Sequence, residues 1–306
     1  IWMKILYFEA QDGISGDMTL GALIDLGADI EKIREELDKF VPEPYGLAAN
    51  GFQRNGITGV NLDVIVDGHG CEAAEGTQMG GTQKEPSPLC PHDGHAHTHT
   101  HDGYAHTHTN DGHAHTHTND WHTHSHGSGH GHHRSHSDIR EMIEKSGITD
   151  RAKRYALDIF AVIAEGEAAV HGIPADEVAF HEVGAMDSII DIVGTAIAVD
   201  LLDAEGFYCT ALHDGSGGIV CRHGLIPVPV PAVMEMAQGS GIPIVIEDNV
   251  TTEMITPTGF GIIKGLNCKY VSKLPIAVDK VGYGFGKRDT GRLGALRVTL
   301  GRLAEG

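Results

Sequence analysis

Residues 93–120, DGHAHTHTHDGYAHTHTNDGHAHTHTND, limit the fold more than any other stretch of the chain. Imidazoles stand at nearly every second position, and no apolar residues recur at helical or strand spacing to form a face that could be buried. From about Gly68 to about Ser137 the residues Gly, Thr, Gln, Pro and His dominate, a composition that predicts a disordered insert. The core must therefore be built from two segments that the insert separates.

The insert contains an internal repeat with a period of nine residues: DGHAHTHTH, DGYAHTHTN and DGHAHTHTN follow one another, and DWHTHSH is a degenerate fourth copy. Calcium-binding β-helices also repeat every nine residues, but they require GGxGxD, which these copies lack. The repeat therefore does not predict a β-helix.

Seventeen histidines lie from His92 to His136, a density that favours metal binding. Neutral imidazole binds nickel, copper and zinc, and a flexible HxH chain can wrap one ion with several rings. We expect nickel first and zinc second; a solvated linker and a pH-responsive polyelectrolyte are the alternatives, and the internal position argues against a purification tag. The predicted ligands in the insert are His95, His97, His99, His101, His106, His108, His113, His115, His117, His122, His124 and His126.

Outside the insert, strand-like and helix-like segments alternate, which predicts an α/β body with a mixed sheet and flanking helices. We expect residues 1–68 and 138–306 to form this body and residues 69–137 to form the insert. Thr256 and Pro257 predict a helix start, because Thr is a good N-cap and Pro is tolerated at the first helical position. Asn55-Gly56 predicts a hairpin turn.

Charge and cysteine usage narrow the class of partner. The formal net charge is −20 with neutral histidines, which disfavours nucleic acid and anionic membranes. Five cysteines without CxxC spacing argue against a disulfide framework and favour a cytoplasmic location. No segment approaches the roughly 20 apolar residues of a membrane span. A homo-oligomer is compatible with this composition.

FHEVGAMDSIIDIVG, residues 180–194, is the first candidate site in the body. Asp187 and Asp191 stand four residues apart on a predicted helix and so share one face. Two carboxylates one turn apart repel each other unless a cation or a donor lies between them, so a metal site is one interpretation. His181 and Glu182 precede the helix and can converge on the same place. The alternative is a solvated acidic face.

EAQDGISGDM, residues 9–18, predicts a strand, a Gly-rich turn and a helix start, a common position for a ligand. It lacks GxxxxGK[ST], so an ordinary P-loop is excluded. Its alternative interpretation is a tight turn in which Asp17 caps the helix. In GYGFGKRD, residues 282–289, Lys287 and Arg288 could hold a phosphate, although such glycines also mark bent strands. His223 and the TPTG helix start, residues 256–259, are ordinarily structural.

Several long motifs, in order and on both sides of the insert, resemble the nickel insertion proteins of lactate racemase cofactor biosynthesis, the LarC family. They are GISGDMTLGALIDLG, VHG, FHEVGAMDSIIDIVG, HGLIPVPVPA, TPTG and GYGFGKRD before LRVTLG. Three positions depart from the family pattern: Glu9 replaces Asp, Asp12 replaces a small residue, and Ala179 replaces a His.

The resemblance implies a nickel chelatase, or cyclometallase, of the lyase class. Such an enzyme inserts Ni²⁺ into pyridinium-3,5-bisthiocarboxylic acid mononucleotide, consumes CTP with Mn²⁺ or Mg²⁺, and supplies the nickel-pincer cofactor to the lactate racemase apoenzyme. The family's CTP-binding C-terminal domain would follow LRVTLG, so we expect it as a further domain or a partner chain. Alternatives are a non-catalytic nickel store or metallochaperone and a metal-dependent phosphotransferase.

The site residues expected from motif and resemblance fall into three groups. The expected catalytic residues are Asp17, His181, Glu182 and Asp187, with His181 as the proton acceptor. Thr258, His223 and Arg288 are expected to contact substrate. Asp191 is expected to bind metal.

Overall fold

A computed structural model describes residues 2–66, 134–180, 183–221 and 223–304. The chain divides into two compact units, Ile1–Cys71 with Gly131–Gly306 and Glu72–His130. The first unit contains the segments that we expect to form the body. The second lies outside the described residues, and so do the predicted ligands from His95 to His126.

The described ranges contain eleven strands and seven α-helices. The strands are β1 Trp2–Glu9, β2 Tyr45–Arg54, β3 Ile57–Val66, β4 Gly206–Cys209, β5 Leu212–Asp214, β6 Gly218–Cys221, β7 Gly224–Pro227, β8 Ile244–Ile246, β9 Lys269–Tyr270, β10 Ala277–Phe285 and β11 Ala295–Ala304. The helices are α1 Gly16–Leu26, α2 Ile30–Leu37, α3 His136–Lys145, α4 Asp150–His171, α5 Met186–Leu202, α6 Pro231–Ala237 and α7 Pro257–Gly265.

Seven strands form the main sheet in the order β2-β3-β10-β11-β1-β4-β9. The sheet is mixed: β1 pairs parallel with β4, whereas β11 lies antiparallel between β1 and β10. The register pairs Trp2 with Ala304 and Glu9 with Arg297, so the first and last strands of the described chain are central neighbours. Two further sheets have two strands each: β5 pairs with β8, and β6 pairs with β7.

Helix α1 packs against β3, β10 and β11, and helix α5 packs against α1. The approach of α1 to β10 is very close, because a Cβ added at Gly284 would lie 1.8 Å from the Met18 carbonyl oxygen. Only glycine fits there. In GYGFGKRD, Gly284 is therefore required by the packing of α1 on β10. This requirement explains that glycine without a phosphate ligand.

The core is continuous from the sheet into the helices. Leu6 and Phe8 of β1, Leu20 and Leu23 of α1, and Ile190 of α5 are fully buried in one cluster. Helix α4 packs against α5, α6 and α7 and extends this core. None of the helices in the described ranges has the length and apolar character that crossing a bilayer requires.

The predicted α/β class is confirmed, and several local signals are confirmed with it. Asp187 and Asp191 lie on one helix, α5, Thr256 caps α7, and Asn55 and Gly56 both adopt positive φ in the β2–β3 turn. His213 and Asp214, which precede the Gly-rich residues 215–218, belong to β5 and pair with β8.

Candidate functional site

Two helix starts, those of α1 and α7, lie side by side. The Ile14 amide donates to the Met254 carbonyl oxygen at 2.9 Å, and the Thr256 amide donates to the Ile14 carbonyl oxygen at 3.0 Å. A Cβ at Gly259 would lie 2.2 Å from that same Ile14 oxygen, so glycine is needed for the contact. Both helices thus present their N-terminal amides, the positive end of the helix dipole, to one region.

Hydroxyl groups tie these two helix starts together. Thr256 Oγ1 accepts from the Gly259 amide at 3.1 Å and lies 2.8 Å from Thr258 Oγ1. Thr258 Oγ1 in turn accepts from the Gly16 amide at 3.2 Å. Thr258, a predicted substrate contact, therefore already links α7 to the first residue of α1.

The N-cap of α1 is Ser15, whose Oγ accepts from the Met18 amide at 3.4 Å. The alternative in which Asp17 caps this helix was therefore wrong. Asp17 lies in the first turn, accepts from the Met18 amide at 2.9 Å and from the Ser15 hydroxyl, and lines a cavity. Its negative charge near the helix N-terminus is favourable.

Asp191 of α5 lies directly behind the start of α1. A Cβ at Gly16 would be 2.9 Å from the Asp191 Cβ. Asp191 Oδ1 is buried and has no hydrogen-bond partner among the described residues. Burial, reinforced by the negative charges of Asp17 and Asp187, raises the pKa of Asp191 well above its usual range. A proton on this carboxyl is therefore stabilised.

Asp187 lies one turn before Asp191 on α5 and is exposed. Its Oδ1 accepts from the Ser188 amide at 2.8 Å. Its charge acts on Asp191, which agrees with the shared helix face expected from their spacing. Asp187 is not among the residues that line the cavity.

Lys287 supplies the opposing charge. Its Nζ lies 3.1 Å from Asp63 Oδ1. Burial opposes the charge on Lys287, but Asp17, Asp63 and Asp191 together raise its pKa, so the amine stays protonated. The site thus holds one ammonium among three carboxylates.

The cavity in front of these groups has a volume of about 230 Å³. Its charged and hydroxyl-bearing lining residues are Asp12, Ser15, Asp17, Glu253, Thr256, Lys287, Arg288 and Thr290. Carboxylates, cations and helix amides in one small space suit a polar ligand that carries anionic groups and a divalent ion.

Ion pairs fix the rim of the cavity. Arg288 donates to the Glu253 carboxylate at 2.6 Å, and Glu253 is only 6% exposed. Arg292 donates to Asp12 Oδ1 at 2.7 Å and lies 3.2 Å from Glu247 Oε1. Arg288 was a predicted contact residue. The role of Arg292 was missed, because its partners lie far away in sequence and carry no local signal.

Several predicted residues lie elsewhere or outside the description. His223 lies in the β6–β7 turn region and does not line the cavity. His181 and Glu182 lie outside the described residues, so their convergence with Asp187 stays a prediction. Across residues 2–66, 134–180, 183–221 and 223–304, no group of three or more His, Cys, Asp and Glu side chains is arranged to hold a metal.

The end of the insert is held beside the FHEVG motif. Ser135 forms a bridge with Ala179, the His136 amide donates to the Val178 carbonyl oxygen at 3.0 Å, and the Phe180 amide donates to the Arg134 carbonyl oxygen at 3.3 Å. The last residues of the insert are thus fixed next to the residues just before His181.

Known proteins are similar in sequence to nearly the whole of this chain. The family model described as nickel insertion protein matches residues 6–306. The chain is 44% identical to the pyridinium-3,5-bisthiocarboxylic acid mononucleotide nickel insertion protein of Lactiplantibacillus plantarum over 97% of this chain and 61% of the relative. It is 41% identical to the protein of that name from Acetivibrio thermocellus over 99% of this chain and 61% of the relative.

The chain therefore spans about three-fifths of the length of these relatives. No solved structure matches it.

Proposed function

The chain belongs to the nickel insertion protein family, and from this membership we propose that it takes part in nickel insertion into pyridinium-3,5-bisthiocarboxylic acid mononucleotide. The reaction forms carbon–nickel and sulfur–nickel bonds and yields the nickel-pincer nucleotide. The observation that carries the proposal is the cavity at the starts of α1 and α7, which Asp17 and Lys287 line and behind which Asp191 packs against Gly16.

The anionic groups of the mononucleotide bind where positive charge gathers. The positive ends of the α1 and α7 dipoles, together with Lys287 and Arg288, suit its phosphate and thiocarboxylates, because helix N-termini and cations stabilise anions. Asp17 and Asp12 place negative charge in the cavity lining. This charge favours a nickel ion that enters with the substrate. Thr258 acts here by holding the two helix starts in register.

The metallation step needs a proton acceptor. A carbon–nickel bond replaces a ring C–H bond, the electron pair of that bond goes to nickel, and the proton must pass to a base. His181 is the proposed acceptor, and Glu182, Asp17 and Asp187 are the other proposed catalytic residues. Asp191, whose burial stabilises its protonated form, is a second candidate to hold that proton.

Nickel is substrate in this reaction, and the insert gathers it. Binding by the histidines from His95 to His126 concentrates the ion on the same chain. The hydrogen bonds between residues 134–136 and 178–180 support delivery to the FHEVG motif, since they fix the end of the insert one residue from His181.

CTP consumption with Mn²⁺ or Mg²⁺, the C-terminal CTP-binding domain, transfer to the lactate racemase apoenzyme and a cytoplasmic location belong to the same proposal and rest on resemblance. The described carboxylates do not converge in threes on one point. We therefore assign no Mn²⁺ or Mg²⁺ site to them and derive no step through that ion.

Mass spectrometry of the small molecule tests the proposal. The chain is incubated with nickel, CTP, Mg²⁺, the pincer precursor and the C-terminal region of the Acetivibrio thermocellus relative. We expect a species that has gained nickel and lost protons, and we expect Asp17→Asn and Asp191→Asn to slow its formation at least about tenfold, which is about 1.4 kcal/mol in the barrier.

The matched control is Asp279→Asn. Asp279 lies on β10, is paired with Arg302 and does not line the cavity. Equal rates for Asp17→Asn, Asp191→Asn and this control would reject the site. CTP hydrolysis without precursor would favour the phosphotransferase alternative.

The density of histidines favours one second function, nickel storage. Deletion of residues 92–130 separates the two, because it spares Arg134, Ser135 and the backbone hydrogen bonds they make. If the deletion variant still inserts nickel at saturating nickel, catalysis belongs to the body. If the intact chain binds nickel but inserts none, the protein is a nickel store.

A further inference from the structure

A second group of metal-binding side chains lies apart from the cavity, where the end of α4 meets the β6–β7 hairpin. Glu167 and His171 come from α4, and Cys221 and His223 come from the hairpin. Carboxylate, imidazole and thiolate are all ligands of transition metals. None of the four lines the cavity.

The two imidazoles stand at a spacing that one ion requires. The ring centroids of His171 and His223 are 5.1 Å apart, with planes inclined by 46°. Two imidazoles that bind one tetrahedral ion through nitrogens at about 2.0–2.1 Å have centroids about 5 Å apart. Ordinary helix chemistry explains a Glu–His pair one turn apart, but it does not bring in a second imidazole from a separate hairpin.

The other two ligands are adjacent to these rings. His171 Nε2 lies 3.5 Å from Glu167 Oε2, and Cys221 Sγ lies 3.8 Å from His223 Nδ1. The His223 amide also donates to Cys221 Sγ at 3.4 Å, which orients the sulfur toward the same turn.

In the described part of the chain these side chains stand as pairs, and no three of them yet form a closed metal shell. The hairpin that carries Cys221 and His223 is a surface element, on which Val220 is 82% and Leu225 75% exposed. A bound ion would supply the energy that closes the shell.

We propose that His171 and His223 clamp a divalent transition-metal ion, completed by Cys221 and Glu167. Nitrogen and sulfur donors select nickel, cobalt, zinc or copper over magnesium and calcium. The four side chains of the clamp belong to the body and do not line the cavity. It stands on these contacts alone, so failure of the insertion reaction does not bear on it.

Alkylation of Cys221 tests the clamp in the full chain. Iodoacetamide reacts with the thiolate, and a metal-bound thiolate is shielded from it. The probe is nickel chloride, and the modified Cys221 peptide is quantified by mass spectrometry. At free nickel ten times the Kd, we expect the rate to fall about tenfold, because only the unbound fraction reacts.

Substitutions assign the shielding to this geometry. His171→Ala and His223→Ala should abolish it, whereas His213→Ala, which removes an imidazole paired with Glu247, should retain it. Cys209 and Cys268 are buried, and burial raises the pKa of both thiols, so their slow alkylation reports that each variant is folded. Nickel that leaves Cys221 unshielded in the unaltered chain, or shields it equally in folded His171→Ala, overturns the proposal.

Discussion

Substitution of Gly259 by alanine tests whether the joined starts of α1 and α7 are the structural basis of the site. The added Cβ would lie 2.2 Å from the Ile14 carbonyl oxygen, 2.6 Å from its carbon and 2.9 Å from the Ser15 amide nitrogen. Cβ atoms essentially never approach other heavy atoms closer than 3.0 Å, so the segments must separate by about 0.8 Å, the difference between 3.0 and 2.2 Å.

This separation has an energetic cost that can be estimated. Overpacking of a tight contact costs about 1–3 kcal/mol, and the weakened hydrogen bond from the Thr256 amide to Ile14 adds about 0.5–1.5 kcal/mol. We therefore expect Gly259→Ala to lower the free energy of unfolding by about 2–4 kcal/mol. Because Asp17 and the Gly16 amide move with Ile14, nickel insertion should fall more than the loss of folded protein explains.

Urea unfolding followed by circular dichroism measures the stability change, with the m-value as a check that only stability changed. The control is Gly51→Ala on β2, where an added Cβ meets nothing within 4 Å. It should change the free energy of unfolding by less than about 0.5 kcal/mol. A Gly259→Ala protein as stable and as active as Gly51→Ala would refute the reasoning.

Three further substitutions probe the polar groups around the site. The raised pKa of Asp191 means that the folded state favours its neutral form. The contribution of Asp191 to stability is therefore present below its unfolded pKa and is lost as pH rises through its folded pKa. Asp191→Asn should thus be more stable than the unaltered chain at neutral pH, with a difference in urea midpoint that vanishes in acid. A difference independent of pH would contradict this. Thr256→Ala should lose about 1 kcal/mol of unfolding free energy, because it removes the N-cap of α7, whereas Thr256→Ser should restore most of it. Asp214, whose Oδ1 accepts from the amides of Gly215, Met254 and Ile255, is fully buried, so Asp214→Ala should cost at least about 3 kcal/mol in thermal or urea unfolding, and a loss below 1 kcal/mol would show that water replaces the carboxylate.

Local patterns predicted the local structure well. Helix α5 could be predicted because its apolar residues repeat at helical spacing. Helix α7 could be predicted because Thr256-Pro257 is a typical helix start. Ser15 as the N-cap of α1 was missed, since Asp17 is an equally good capping residue type and only the backbone decides between them.

Long-range contacts could not be read from the sequence. The hydrogen bond from the Gly16 amide to Thr258 and the pair between Asp12 and Arg292 join residues separated by most of the chain. Neither leaves a spacing signal, because each partner is locally an ordinary turn or cap residue. The burial of Asp191 was hidden for the same reason: its spacing from Asp187 suggested a shared face but not that α1 covers one oxygen.

The central pairing of β1 with β11 has a consequence for how the protein is made. Trp2 pairs with Ala304, so β1 cannot be completed in the sheet until almost the whole of this sequence has left the ribosome. The histidine repeat therefore emerges, and can meet metal, before the body closes around its cavity. The long interruption slows this closure only modestly, because each doubling of loop length adds about 0.6 kcal/mol to the entropic cost of joining its ends. The strand order of the sheet thus gives the repeat an interval in which it can bind metal before the body is complete.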